Sequence, residues 1–160
     1  LTAQVVKGRF TRPWRVGYSV AMAIRRSALE RLGGWDERFG PGATDFPASD
    51  DMDLNYRLMR SGGSAYLTPR LRALHDQWRT SDDLLDLYCG YSRAWGGLVM
   101  KQLRTGDPLG AALIAAGRAR GIHKLAVRGL RTRSRFRLRL AGRELQGFLR
   151  GLRLGLRRAW

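Results

Sequence analysis

Cysteine is almost missing from this chain. Cys89 is the single cysteine among 160 residues, so no disulfide can form within the chain. Because no Cys or His partners stand at ligand spacing, Cys89 does not predict a zinc site either. The class of small domains held together by disulfides or zinc is therefore excluded, and a reducing compartment such as the cytoplasm fits best.

Long hydrophobic runs are missing as well. The longest uncharged, mostly apolar run spans residues 109–117, whereas a helix needs about 20 apolar residues to cross a bilayer. The first residues also lack the charged and apolar regions of a signal peptide. We therefore predict neither a transmembrane helix nor a signal peptide. Because the chain starts with Leu1 in what resembles a strand or loop, we expect it to be a fragment of a longer protein.

Acidic residues are scarce, above all towards the C-terminus. The chain has 30 Lys and Arg residues against 13 Asp and Glu residues, which gives a formal net charge of +17. Residues 112–160 hold 14 basic residues and one acidic residue, Glu144, and so carry 13 of those net charges. A segment with this charge is expected to meet a polyanionic partner.

Short elements are predicted in the first half of the chain. Residues 16–23 are typical of a buried strand. Ser27 is predicted to cap a short helix, with Glu30 completing a capping box and Gly33-Gly34 ending the helix. The pattern further predicts a loop over 35–48, a helix over 50–61 and one or two short strands between 64 and 75.

The second half is predicted to be helical. Ser81 begins an amphipathic helix that Gly106-Asp107-Pro108 ends. We therefore expect an α/β unit over residues 1–78 and an amphipathic helix over 79–108 that packs on it. A basic amphipathic helical tail is expected over 109–160, with its leucine stripe interrupted by glycines.

Three carboxylates, those of Asp50, Asp51 and Asp53, crowd the start of the helix predicted over 50–61. One interpretation is helix capping, since the helix dipole favours each negative charge there by about 0.3–1 kcal/mol. Capping needs only one acceptor, however, and neighbouring carboxylates repel each other, so at least one should have a raised pKa. Such a carboxylate can serve as a general base that takes the proton from an incoming hydroxyl group.

Several motifs follow one another around this acidic cluster. They are residues 13–29, Leu32-Gly33-Gly34-Trp35-Asp36-Glu37, Phe39-Gly40-Pro41-Gly42, the cluster itself, and Tyr66-Leu67-Thr68-Pro69 leading to His75. Together they resemble family 2 glycosyltransferases of the GT-A fold. The resemblance covers about residues 13–108, and it lies in the order and spacing of the motifs.

This resemblance implies a fold and a reaction. The fold would be α/β, a partial GT-A domain of Rossmann-like type followed by a mainly α-helical C-terminal region. The reaction would be inverting transfer of a sugar from a nucleotide-sugar donor to a hydroxyl acceptor, a glycan or a lipid-linked molecule, as in cell-wall or polysaccharide biosynthesis. In this family the segment Glu-Asp-x-Asp-Leu carries the catalytic base on its first Asp, which corresponds to Asp51. Asp50 stands where the family commonly has Glu.

The same resemblance implies further site residues. Asp53 supports the helix start or the acceptor pocket, and Arg57 can pair with it one helical turn later. Gly33, Gly34, Trp35 and Asp36 form the acceptor-side motif, in which Trp35 offers a flat face to a sugar ring. The alternative for these residues is a helix end followed by a core Trp. His75 could be a metal ligand, and the alternative is a structural histidine.

The nucleotide-binding half of a GT-A enzyme is not apparent in the sequence. That half would hold the donor diphosphate through Mg²⁺ or Mn²⁺ bound by an Asp-x-Asp motif. The nearest match, Asp51-Met52-Asp53, follows Gly33-Gly34-Trp35-Asp36 and therefore belongs to the acceptor side. We expect the main ligands of this divalent cation to lie in a missing N-terminal half, and the chain alone to be inactive.

The arginine-rich tail has two candidate partners. Its leucines and Trp160 alternate with arginines, which is typical of a segment that binds an anionic membrane surface. Nucleic acid would attract the same arginines, but no recognised nucleic-acid motif accompanies them, so we favour a cytoplasmic protein peripheral on the inner face of the membrane. For the whole chain, the main alternative is a basic membrane- or nucleic-acid-binding module without catalysis.

Overall fold

The computed structural model describes residues 2–74, 76 and 78–160. Internal contacts divide the chain into two compact units, which comprise residues 1–37 with 50–77 and residues 38–49 with 78–160. Helices account for 60% of the chain. His75 lies outside the described residues, so its role as a metal ligand stays a prediction.

The first unit combines two short strands with two helices. Strands β1 (Gln4–Lys7) and β2 (Ser64–Leu67) pair antiparallel, with Gln4 opposite Leu67. Helices α1 (Arg26–Arg31) and α2 (Asp50–Arg60) lie between them in the chain. Strand β2 confirms a strand between residues 64 and 75, and α2 confirms the helix predicted over 50–61.

The buried strand predicted over residues 16–23 is wrong. The chain forms two 3₁₀ turns instead, Pro13–Arg15 and Ser19–Ala21. Backbone groups that a strand would offer to a neighbouring strand are bound by side chains of α2: Asp51 accepts the Ser19 N–H group, and Asn55 donates to the Gly17 carbonyl oxygen. Gly17 also has a φ of 124°, which is outside the strand region.

Helix α1 begins differently from the prediction and ends as predicted. Its N-cap is Arg25, which makes no side-chain capping bond, so the Ser27 cap and its capping box are wrong. At the other end, Gly33 and Gly34 both have a φ of 76°. The Gly33 N–H group donates to the Glu30 carbonyl oxygen and the Gly34 N–H group to that of Leu29, and both hydrogen bonds are 3.0 Å long. This left-handed termination confirms Gly33-Gly34 as the end of the helix.

The second unit is built on three long helices. They are α3 (Ser81–Arg104), α4 (Pro108–Arg131) and α5 (Arg135–Arg157), and α3 packs against both of the others. Thr80 caps α3 in a capping box with Asp83, one residue before the predicted start. The predicted helical tail is thus two helices, joined by a turn in which Arg133 has a φ of 49°. None of the helices in the described part of the chain is long and apolar enough to cross a membrane.

Glycines form the contact between α5 and α3. Gly147, Gly151 and Gly155 recur every fourth residue and therefore lie on one face of α5. A Cβ atom added at Gly147 would lie 2.1 Å from the Cys89 carbonyl oxygen, and one at Gly151 would lie 2.0 Å from that of Arg93. The two backbones approach so closely that only glycine fits. The glycines expected to interrupt an apolar stripe are instead the packed face of the helix.

A buried ion pair connects all three helices of the second unit. Glu144 on α5 lies 2.9 Å from the Arg118 guanidinium on α4. The Nε of Arg118 donates a hydrogen bond of 3.0 Å to the Ser92 hydroxyl on α3, which is fully buried. Because a buried charge is tolerated only with its partners in place, this network favours one alignment of the three helices.

An aromatic cluster holds residues 38–49 against the helices of the same unit. The Phe39 and Phe46 rings stack with centroids 5.1 Å apart, and Trp160 stacks on them at 5.9 and 5.7 Å. Phe46 also fills the space above Gly97 of α3. Residues 35–48 contain turns, bends and an isolated bridge, which confirms the loop predicted there. The Trp160 ring is part of the aromatic cluster.

We predict that Gly151→Ala destabilises the chain by about 1–3 kcal/mol, because the new methyl group meets the Arg93 carbonyl oxygen. Gly142 of the same helix is the matched control, since an added Cβ there has no atom within 4 Å. Gly142→Ala should stabilise the chain by about 0.5–1 kcal/mol through higher helix propensity. Urea unfolding measures both, and equal effects would contradict the close approach of α5 to α3.

Candidate functional site

The carboxylate of Asp51 is held at the first turn of α2. Its Oδ2 accepts a hydrogen bond of 3.0 Å from the Ser19 N–H group, and its Oδ1 accepts one of 2.8 Å from the Met52 N–H group. The residue is 9% exposed. The 3₁₀ turn that begins at Ser19 therefore fixes the orientation of this carboxylate, which keeps a small opening to solvent.

Burial raises the pKa of the Asp51 carboxyl group above its ordinary value. The negative charge of Asp50 raises it further, while the hydrogen bonds from Ser19 and Met52 act in the opposite direction. The net direction is upward, because loss of hydration is the largest effect. From the sequence, a raised pKa is expected for one member of the acidic cluster because of repulsion between carboxylates. The direction agrees with that expectation, but the main cause is burial.

The pair of Asp53 and Arg57 connects α2 to the end of α1. Asp53 is fully buried, and its Oδ2 accepts a hydrogen bond of 2.8 Å from the Nε of Arg57. The Nη1 of the same guanidinium donates to the Leu32 carbonyl oxygen. Asp53 and Arg57 are one helical turn apart and pair as predicted. Because Leu32 directly precedes Gly33-Gly34, the bond from Arg57 to Leu32 fixes the turn that carries the Gly-Gly-Trp-Asp motif.

Trp35 and Asp36 follow this turn at the surface of the first unit. The Trp35 side chain is 40% exposed, which favours an accessible ring over the alternative of a core Trp. Asp36 is half-buried, and Asp50 occupies the first position of α2 with its side chain half-buried as well. Gly33 and Gly34 have open space where a Cβ atom would stand.

Sequence reasoning missed two residues of this site. Ser19 supplies an N–H group to Asp51, and Asn55 donates from its Nδ2 to the Gly17 carbonyl oxygen over 3.0 Å. Asn55 follows Asp51 by four residues, so both side chains leave the same face of α2. That spacing is the one signal that predicts a common neighbour, whereas Ser19 is distant in sequence.

A divalent cation does not fit the described carboxylates of this site. Both oxygens of Asp51 accept backbone N–H groups, and Asp53 is paired with Arg57. Within residues 2–74, 76 and 78–160, no group of three or more His, Cys, Asp or Glu side chains is placed to hold a metal ion. The Asp51-Met52-Asp53 sequence is therefore not a metal-binding motif here.

Comparison with known proteins found no match, so a function has to be inferred from the sequence and from the geometry of the site. The chain matches no protein-family model, no curated protein and no solved structure. The candidate site is thus defined by the oriented carboxylate of Asp51, the Asp53–Arg57 pair and the exposed ring of Trp35.

We predict that Asp51→Asn gains stability relative to the wild type as the pH rises. The folded chain holds a proton on Asp51 more tightly than the unfolded chain does, because the folded pKa is raised. The stability linked to that proton is complete below the ordinary pKa of Asp and is lost as the pH rises through the raised value. Asn does not titrate, so the variant avoids this loss.

Thermal melting from about pH 3 to about pH 8 checks this sign. Asp82→Asn is the matched control, since Asp82 is the second residue of α3 as Asp51 is of α2, and its side chain is 81% exposed. It reports the general effect of removing one negative charge from a basic protein. A stability of Asp51→Asn that falls relative to that of the wild type as the pH rises would contradict the raised pKa.

We predict that Arg57→Met destabilises the first unit by about 2–4 kcal/mol, because it removes the cation from the buried carboxylate of Asp53. The double variant Arg57→Met with Asp53→Asn should lose less than the sum of the two single changes. Urea unfolding of the four chains measures this coupling. Additive losses would mean that the ion pair does not connect the two helices energetically.

Proposed function

We propose that this chain is the acceptor-side part of an inverting family 2 glycosyltransferase with a GT-A fold, and that Asp51 is its catalytic base. The observation that carries the proposal is the placement of Asp51: nearly buried, oriented by two N–H groups, and followed on its own helix by the Asp53–Arg57 pair. That pair reaches the turn from which Trp35 projects. The order of motifs along the sequence supports the same assignment.

In the proposed reaction, an acceptor hydroxyl group donates a hydrogen bond to Asp51. The hydroxyl oxygen attacks the anomeric carbon of the donor sugar, a new C–O bond forms, and the bond from that carbon to the diphosphate breaks. The hydroxyl proton passes to Asp51, and the nucleoside diphosphate leaves with the bonding electrons. Attack opposite the leaving group inverts the anomeric configuration.

A raised pKa suits Asp51 to this role. A carboxylate with the ordinary pKa of Asp holds a proton weakly and gains little by taking one from an alcohol. Burial moves the Asp51 pKa upward, towards the pH at which cytoplasmic enzymes operate. A carboxylate with a raised pKa binds the hydroxyl proton more strongly and is therefore the better general base.

Trp35 is the proposed platform for the acceptor. An exposed indole face packs well against the apolar face of a sugar ring, and 40% of the Trp35 side chain is exposed. The neighbouring Gly33 and Gly34 leave room beside it, since no atom lies within 4 Å of a Cβ added at either position. Asp36 and Asp50 are the further carboxylates proposed to bind acceptor hydroxyl groups.

The donor site is proposed to lie outside these 160 residues. The sheet in the described part of the chain has two antiparallel strands, whereas a nucleotide-binding half is a parallel α/β sheet. We place the ligands of the divalent cation in that half, since the carboxylates of α2 do not fit a metal. The cation would neutralise the diphosphate.

We predict that Asp51→Asn, in the natural protein that contains these residues, lowers kcat by about 10²–10⁴-fold, because the amide cannot accept the hydroxyl proton. The donor KM should change little, since Asp51 contacts the acceptor. Release of nucleoside diphosphate in the presence of acceptor measures the rate, and Asp82→Asn is again the control. Turnover near the wild-type rate in Asp51→Asn would remove Asp51 as the base.

We predict that Ser19→Pro moves the acid limb of the kcat/KM profile to higher pH. Proline has no N–H group, so the variant loses a hydrogen bond that lowers the Asp51 pKa. Ser19 is the first residue of its 3₁₀ turn and follows a residue with extended backbone, where proline is tolerated. Ser19→Ala keeps the N–H group and should move the limb less. An unshifted limb in Ser19→Pro would mean that Asp51 does not set it.

A further inference from the structure

The packing of α5 leaves four of its leucines exposed to solvent. The buried residues of this helix are mostly small, namely Leu140, Ala141, Glu144, Gly147, Gly151 and Gly155. Four leucines are between 38% and 57% exposed, and we call them the leucine line: Leu138, Leu145, Leu149 and Leu156. Their spacings of seven, four and seven residues place them within about 20° of one line along the helix.

Arginines run along one side of the leucine line. They are spaced three, four or seven residues apart, and we call them the arginine line: Arg135, Arg139, Arg143, Arg150, Arg153 and Arg157. At 100° per residue they lie about 60–140° around the helix from the leucines. Arg139 and Arg143 pair with Asp82 and Asp86 of α3. Arg150, Arg153 and Arg157 lie further along α5 and are exposed.

Negative charge beside the arginine line is found near the start of α5, where Asp82 and Asp86 of α3 pair with Arg139 and Arg143. Helices α4 and α5 themselves contribute almost none. Glu144 is the single acidic residue in 112–160, and it is buried against Arg118. The exposed surface of α4 and α5 is therefore basic and apolar. Exposing a line of leucine side chains to water is energetically unfavourable unless another molecule covers them.

We propose that the leucine line and the arginine line together dock α5 flat on an anionic lipid membrane. Leucines would enter the boundary between head groups and acyl chains, while the arginines bind lipid phosphates and the surface potential of anionic lipids. The helix is about 35 Å long, and both lines extend over most of it. Two properties of this surface favour an anionic membrane over other partners. Its positive charge complements the lipid head groups, and an apolar line lies beside that charge.

Nucleic acid would use only half of this surface. Arginines can contact the phosphates of a duplex, but a line of leucines beside them adds nothing to phosphate binding. A membrane uses both lines, since it offers negative charge and hydrocarbon within a few ångströms of each other. The two partners therefore differ in how they respond to loss of the leucines.

Co-sedimentation of the 160-residue chain with vesicles tests this proposal. We expect binding to vesicles of phosphatidylcholine with about 30% phosphatidylserine and at least about tenfold weaker binding to phosphatidylcholine alone. The triple variant Leu145→Gln, Leu149→Gln, Leu156→Gln should bind the anionic vesicles at least about tenfold more weakly. Replacing Arg150, Arg153 and Arg157 by Gln should have an effect of similar size.

Matched controls use residues outside the leucine line and the arginine line. Leu71 and Val5 of the first unit are 52% and 57% exposed, so changing them to Gln removes apolar side chains of similar exposure. Changing the exposed Arg25, Arg26 and Arg31 of the first unit to Gln removes three charges outside the arginine line. Both controls should bind within about twofold of the wild type if the α5 surface is the docking site. Circular dichroism confirms that each variant remains folded.

A fluorescent label provides a second readout, which does not depend on the stability of the triple variants. With Cys89 changed to Ser, an environment-sensitive dye on Leu149→Cys should shift its emission to the blue with anionic vesicles. The same dye on Leu71→Cys of the first unit, where the leucine is 52% exposed, should shift less. Because neither experiment involves turnover, a failure here leaves the proposed role of Asp51 untouched, and loss of that role leaves this proposal untouched.

Three results would overturn the proposal. One is equal sedimentation with neutral and anionic vesicles, and another is wild-type binding by the leucine variant. The third is tighter binding to a duplex oligonucleotide than to anionic vesicles at physiological salt, with the leucine variant unimpaired, which would assign the arginine line to nucleic acid. Loss of vesicle binding in both triple variants, with both controls unaffected, supports docking through α5.

Discussion

The close approach of α5 to α3 is the constraint on which the second unit depends. Carbonyl oxygens of α3 stand where the Cβ atoms of Gly147 and Gly151 would be, so this contact requires residues without side chains. The backbones of α5 and α3 can approach this closely only at the glycines, and the network of Glu144, Arg118 and Ser92 favours one alignment of the helices. The leucines of α5 are left on another face, which is the basis of the proposed docking surface.

The carboxylates of helix α2 differ in their partners, and the difference supports the roles proposed for them. Asp53 is fully buried and pairs with Arg57, which joins α2 to the end of α1. This pair makes the start of α2 rigid, so Asp51 is presented in one orientation. Rigid support is what a catalytic base needs, because small displacements of a reacting group reduce the rate strongly. Removing Asp53 would therefore affect Asp51 without touching it.

Local signals in the sequence predicted much of this site. Helical periodicity placed α2, Gly33-Gly34 marked the end of α1, and the spacing of Asp53 and Arg57 predicted their pair. The strand expected over 16–23 failed because its backbone groups bond to α2, more than thirty residues away in sequence. Sequence periodicity relates a residue to its neighbours along the chain, so it gives no information about hydrogen-bond partners that are distant in sequence.

The same limit applies to the C-terminal region. Glycines are poor helix formers, so they predicted interruptions, whereas their spacing of four residues is a signal of close helix packing. The sequence groups Trp160 with the leucines and arginines of the tail, whereas its ring stacks on Phe39 and Phe46 from a distant loop. In both cases the residue type was recognised and its partner was not, because the partner is set by tertiary packing.

The buried acids of this protein fall into two kinds, and the difference bears on which one is reactive. Asp53 and Glu144 each face an arginine, so the charge of each is balanced where it is buried. Asp51 is held by the neutral N–H groups of Ser19 and Met52, and its nearest charged influence is the negative charge of Asp50. Burial without a cation raises the pKa of a carboxyl group. The pKa of Asp51 is raised in this way, which is the property that suits it to the role of base proposed above.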